Sequence, residues 1–166
     1  MQRMPFRARA DGAIEVRLEP AEASAVRQIA TELLAAVDAE REEHRRLYPA
    51  AYPDDPARET EFRELTRDEL MERKRAAARA VAGSIEEGVD RKGALRSTLD
   101  PDAADAWLGV LNDARLVLGT RLDVTEEREH DLLPPEHPDA PAWNLYLYLG
   151  WLEETLIDAL AARDFA

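Results

Sequence analysis

The sequence contains no cysteine. That excludes a disulfide framework, thiolate metal ligation and a cysteine nucleophile in this chain. Serine is scarce, at positions 24, 84 and 97, and none stands in a Gly-x-Ser-x-Gly elbow. Neither a Gly-x-Gly-x-x-Gly nor a Walker loop occurs, which removes nucleotide sites of those two kinds. Long apolar runs are missing too. Nothing approaches the roughly 20 residues of a membrane span, and Met1-Gln2-Arg3-Met4-Pro5-Phe6 turns polar too soon for a signal peptide. A cytoplasmic location without membrane attachment is the expectation.

What is present suits one domain over residues 1–166. The length allows a single real core, and a hydrophobic fraction of 45% argues against wholesale disorder. Charge is one-sided, with 35 acids against 22 bases and a net charge of −13. Such a chain is repelled by phosphate backbones unless its bases share one face. The richest basic stretch, Arg73, Lys74, Arg75 and Arg79, lies beside Glu69 and Glu72, so nucleic acid is a disfavoured partner. Lysine occurs only at 74 and 92.

The pattern predicts a mainly α fold, a bundle of four to five helices carrying a short N-terminal β-hairpin. Ile14, Val16 and Leu18 alternate with charged residues and Asp11-Gly12 supplies turn chemistry, giving a hairpin over 5–18. Pro20 opens a helix over about 20–44, striped by Val26, Ile29, Leu33 and Val37. Three prolines within eight residues, Pro49, Pro53 and Pro56, forbid a regular helix there, and Tyr48 and Tyr52 give this loop the means to lie on the protein. A short helix over 58–64 is expected next. Thr66 followed by Glu69 fits a capping box opening a helix over 66–86, and Gly83, Gly88 and Gly93 suggest a loop over 83–98. Asp100-Pro101 starts a helix over 101–122. After the proline-rich stretch 123–141, a last helix over 142–162 carries the stripe Leu145, Leu149, Leu152, Leu156 and Leu160.

One charged residue sits where charge is costly. At about 100° per residue, Leu108, Leu111, Leu118 and Leu122 share a face, and Arg115 falls in its middle. A guanidinium there needs a partner, for which Glu153, Glu154, Asp54 and Asp55 are the candidates. One outcome is a buried clasp between segments. The other is an anion-binding notch built from Asn112, Arg115, Thr120 and Arg121.

Trp143, Tyr146, Leu147 and Trp151 lie largely opposite the leucine stripe of the last helix. They are the candidates for a contact surface, toward a protein partner or a second copy, unless the hairpin buries them. The histidines, His44, His130 and His137, match no helical ligand spacing, and the acids around 126–137 give no recognisable metal site. No metal, cofactor or catalytic residue is expected.

Two stretches carry a family resemblance. One is Tyr48-Pro49-x-Ala51-Tyr52-Pro53-Asp54-Asp55-Pro56 with Glu61-Phe62-Arg63-x-Leu65. The other is Trp107-Leu108-x-x-Leu111-Asn112-Asp113-x-Arg115-Leu116-x-Leu118-Gly119-Thr120-Arg121-Leu122, with Tyr148-x-x-Trp151-Leu152-x-Glu154-Thr155-Leu156 near the end. Over nearly its whole length the chain resembles an actinobacterial family of unknown function whose gene commonly lies beside that of the Clp protease's N-end-rule adaptor. The resemblance implies a glycine after Thr120-Arg121-Leu122, where this chain has Asp123. It carries over no catalytic residue. It implies a link to regulated proteolysis or cysteine synthesis, and some members are labelled transcriptional regulators. The expected function is therefore a non-enzymatic interaction or regulatory protein with a partner in the proteolysis machinery. An anion sensor or enzyme using Asn112, Arg115 and Arg121 is the alternative, and a transcriptional regulator the second.

Overall fold

The computed structural model describes residues 4–37, 46–128 and 132–164. Within them the chain runs β1 (Phe6–Ala8), β2 (Ile14–Leu18), α1 (Pro20–Val37), α2 (Pro56–Gly88), β3 (Leu95–Leu99), α3 (Pro101–Arg121) and α4 (Ala140–Asp164). The fold is mainly α, with four helices among the described residues and a three-stranded antiparallel sheet ordered β1-β2-β3. The stretch expected to extend the first helix from 38 to 44 lies outside the described residues.

The hairpin turns at Gly12, whose φ of 81° suits a residue without a Cβ. The glycines at 83, 88 and 93 predict a loop over 83–98, and there the structure differs. Helix α2 continues through Gly83 to Gly88, and β3 completes the sheet on the far side of β2. Leu95 and Leu99 face Leu18 and Ile14 across the ladder, while Val16 faces Ser97, so the buried faces of the two strands coincide. The turn between α2 and β3 is tied by Asp90, whose carboxylate accepts from the backbone N–H groups of Lys92 and Ala94. Those bonds hold its pKa below the ordinary carboxylate range. Gly93, at φ 85°, makes the reversal.

The helices expected over 58–64 and 66–86 are one element of 33 residues. Asp55, not Thr66, is the N-cap, accepting from the Arg58 N–H with Pro56 at the first helical position. The Thr66 hydroxyl instead donates to the Phe62 carbonyl one turn back, which leaves the helix uninterrupted. Helix α3 begins as expected, with Asp100 accepting from the Ala103 N–H.

The core lies between the sheet and the helices. Phe6, Val16, Leu18, Val26, Leu33, Val81, Ile85, Leu95, Trp107, Leu111, Leu149 and Leu156 are all buried in one cluster. Helix α1 lies on α2, α3 lies on both α2 and α4, and α4 reaches β1. Helix α2 enters the core only at its C-terminal end. Its buried residues are Ala78, Val81 and Ile85, and none from 56 to 77 is buried. At about 1.5 Å per residue the helix is roughly 50 Å long, so its first part stands outside the main core. No helix among the described residues is long and apolar enough to cross a membrane.

Candidate functional site

Two charged residues of α3 reach opposite neighbours. The Asp113 carboxylate, 6% exposed, accepts from the Lys74 ammonium on α2 with both oxygens at 2.8 Å. Burial raises the pKa of Asp113, and the hydrogen bond and charge of Lys74 offset that only in part. Two residues later on the helix, Arg115 reaches the other way. Its Nη1 lies 3.3 Å from Glu153 Oε2 on α4, and its guanidinium sits 5.1 Å from the centroid of the Tyr146 ring.

Glycine makes room for this contact on both helices. A Cβ at Gly150 would lie 3.3 Å from Arg115 Nε, and a Cβ at Gly119 would lie 3.3 Å from Tyr146 Cε2. The arginine of α3 therefore lies over the glycine of α4, and the tyrosine of α4 over the glycine of α3. A third link joins α2 to α3. The Trp107 indole N–H donates to the Ser84 hydroxyl, which donates to the Val81 carbonyl.

Of the four residues considered for an anion notch, the structure does not gather the set. Asn112 and Arg121 are exposed, Arg115 lies between α3 and α4, and Thr120 donates to the Leu116 carbonyl. At about 100° per residue, positions 112, 115, 120 and 121 spread around the helix. Asp54 and Asp55 do not meet Arg115 in any bond among the described residues. Asp55 caps α2, and the proline loop is held from elsewhere. Glu59 accepts from the Ala51 and Tyr52 N–H groups, both at 2.9 Å, while its other oxygen meets Arg63 Nε at 2.6 Å. The Arg63 side chain lowers the Glu59 pKa, and these backbone bonds add to the effect.

The proposed contact residues of α4 divide. Trp143 is 1% exposed and Tyr146 7%, whereas Leu147 and Trp151 are half-buried. Trp143 packs against Tyr146 and lies under the Arg128 guanidinium. Tyr146 rests on α3, so these two rings are not available as an open surface. The large exposed apolar side chains include Tyr52, Phe62 and Leu65, with Leu65 76% exposed. Tyr52 and Phe62 meet edge to face at 5.8 Å, and Arg58 lies over Tyr52. This patch is not among the surfaces expected from the sequence. The signal was present in the Phe62-x-x-Leu65 pair, of which only Phe62 falls in the short helix expected over 58–64. Among the described residues no group of three or more His, Asp or Glu residues is placed to hold a metal. His44 and His130 lie outside the described residues.

Comparison with known proteins places these features in a family. A Mycobacterium tuberculosis protein named oxidative stress regulator AosR is 34% identical over 96 residues, which are 58% of this chain and 41% of that protein. The Mycobacterium bovis protein of that name matches equally. A Mycobacterium leprae protein also bearing the AosR name is 31% identical over 116 residues, 70% of this chain and 51% of its own length. The chain thus spans about half the length of the curated relatives it matches. No solved structure matches. The model of a domain of unknown function, DUF2017, matches residues 2–160, and the chain belongs to that family.

Proposed function

We propose that this chain is a non-enzymatic regulatory protein that works in the cytoplasm through contacts with other proteins. The observation that carries the reading is the first part of α2. It stands clear of the main core and presents Phe62 and Leu65 to solvent, beside Tyr52 of the preceding loop. The charged residues on the inner side of α3, by contrast, are engaged in joining helices: Asp113 to Lys74 and Arg115 to Glu153.

The regulatory part of the reading draws on the mycobacterial relatives named for oxidative stress regulation. Regulated proteolysis, which the family resemblance implies, is the process we favour. In this chain oxidant could not be sensed through a thiol, because there is no cysteine. The chain would then act on the response without thiol chemistry of its own. A net charge of −13 favours protein partners over DNA.

The test is thermal unfolding of the purified protein against a panel of anionic metabolites and nucleotides, for wild type and Arg115→Met. We expect no compound to raise the wild-type Tm, and the variant to melt earlier. A compound that stabilised wild type but not a folded Arg115→Met protein would replace this reading with an anion sensor or enzyme.

A further inference from the structure

Helix α2 carries its exposed charge in two blocks. From 59 to 72 there are six acids, Glu59, Glu61, Glu64, Asp68, Glu69 and Glu72, against Arg63 and Arg67. From 73 to 80 there are four bases and no acid: Arg73, Lys74, Arg75 and Arg79. Lys74 is turned inward to Asp113. An acidic block followed by a basic block on one helix is complementary to its own reverse.

The exposed apolar residues follow the same arrangement. Phe62, Leu65, Glu69, Arg73, Ala76 and Ala80 are all exposed, and at about 100° per residue they fall within roughly 80° of one another. This stripe lies opposite the side that carries Ala78, Val81 and Ile85 into the core. Reversing the helix about residue 71 brings Phe62 onto position 80, Leu65 onto 77 beside Ala76, and Glu69 onto position 73. Large apolar groups at one end meet alanines at the other, and an acid meets a base between them. The stripe from 62 to 80 is about 27 Å long at 1.5 Å per residue.

We infer that α2 pairs with α2 of a second copy, antiparallel about a two-fold axis near residue 71. Phe62 and Leu65 lie on the partner's Ala76 and Ala80, and Glu69 pairs with the partner's Arg73. The alanines allow the backbones to approach closely, and the interface is isologous, so every contact occurs twice. This inference rests on the reading of α2 as the contact surface. It does not depend on the regulatory role.

The experiment is sedimentation equilibrium of the full chain from about 1 µM to 1 mM, for wild type, Glu69→Arg, Arg73→Glu and the double variant. Both positions in the charge cycle, Glu69 and Arg73, are exposed, and far-UV circular dichroism checks that the helices are retained. Wild type is expected to dimerise with concentration. Each single reversal places like charges against each other in both halves of the interface, and is expected to weaken the dimer at least tenfold. The double variant restores opposite charges and the dimer. An equimolar mixture of the two single variants also restores both pairs, and is expected to form the mixed dimer that neither forms alone. Leu65→Glu is expected to abolish association. A wild type that stays monomeric to 1 mM overturns the inference, as do single variants that dimerise like wild type, or a mixture that remains monomeric. A ligand-induced rise in Tm in the thermal panel would instead overturn the functional reading, so the two failures are told apart.

Discussion

Replacing Lys74 by methionine removes the partner of a carboxylate that the fold has already taken out of water. Asp113 is 6% exposed, and Lys74 Nζ is 2.8 Å from both its oxygens. Breaking a buried pair from one side costs about 3 to 5 kcal/mol, and the 15% exposure of the Lys74 side chain points to the lower end. For a chain of this size, about 3 kcal/mol corresponds to roughly 6 to 12 °C in Tm. Asp113→Leu is expected to cost less, about 1 to 2 kcal/mol, because a long lysine can turn its ammonium toward water whereas a short aspartate cannot. The double variant Lys74→Met with Asp113→Leu is expected within about 1 kcal/mol of wild type, since two apolar groups need no desolvation to be repaid. The pH dependence has a definite sign. Burial raises the Asp113 pKa in the folded state, so the folded protein holds that proton more tightly than the unfolded chain does. The stability this group supplies is full below the ordinary carboxyl pKa, and is lost as pH rises through the raised folded value. In Lys74→Met the folded pKa rises further, so the deficit relative to wild type should widen from acid toward neutral pH. Urea unfolding of the four proteins at a series of pH values measures both effects. A Lys74→Met cost under about 1 kcal/mol at pH 7, or a double variant whose loss equals the sum of the singles, would refute the reasoning.

Four further substitutions test the backbone and the glycines. Asp123 follows the end of α3 with φ 50°, and the Val124 N–H closes the helix onto the Gly119 carbonyl; Asp123→Gly should raise stability by about 0.5 to 1 kcal/mol in denaturant titration. Gly83 and Gly88 share a helix but not a neighbourhood. A Cβ at Gly83 meets nothing within 4 Å, so Gly83→Ala should stabilise by about 0.8 kcal/mol. A Cβ at Gly88 would lie 2.7 Å from Leu95 Cδ1 and 3.1 Å from Ser97 Cβ, so Gly88→Ala should cost about 1 to 3 kcal/mol and lower Tm. Gly150→Ala crowds the Arg115 guanidinium and should be neutral to destabilising in wild type. In an Arg115→Met background the obstruction shrinks, and the same change should gain about 0.8 kcal/mol from helix propensity; equal effects in both backgrounds, read by thermal unfolding, would show that Arg115 does not occupy that space.

The elements with local punctuation were legible from sequence. Asp11-Gly12 and Asp100-Pro101 carry their own turn and cap chemistry, and both act where they stand. The errors came where a local signal was overruled by tertiary packing. Gly83 and Gly88 read as loop residues, but Val81 and Ile85 are buried and hold that turn helical, and at Gly88 the missing Cβ is what lets β3 approach. Thr66 and Glu69 have the spacing of a capping box, which a threonine hydroxyl bonded back along a continuous helix defeats. Strand β3 is five residues long and alternates like any short exposed segment, so only its pairing with β2 distinguishes it. At the candidate site, the helical period placed Arg115 on an inner face and offered Glu153 among several partners. It could not show that Tyr146, Gly119 and Gly150 belong to the same contact, because that requires knowing the register of two helices far apart in sequence. Lys74 was one of only two lysines, yet nothing in its surroundings distinguished an inward ammonium from a solvated one.

The reciprocal glycines fix how α4 can sit on α3. Arg115 over Gly150 and Tyr146 over Gly119 are one helical turn apart on each helix, and the two pairs run in opposite directions. A shift of α4 by one turn would slide each large side chain off its glycine and against a residue that has a Cβ. The seam therefore works like a two-toothed key with one seating. Sliding of α4 along α3 by a helical turn is closed to the molecule as a means of changing state.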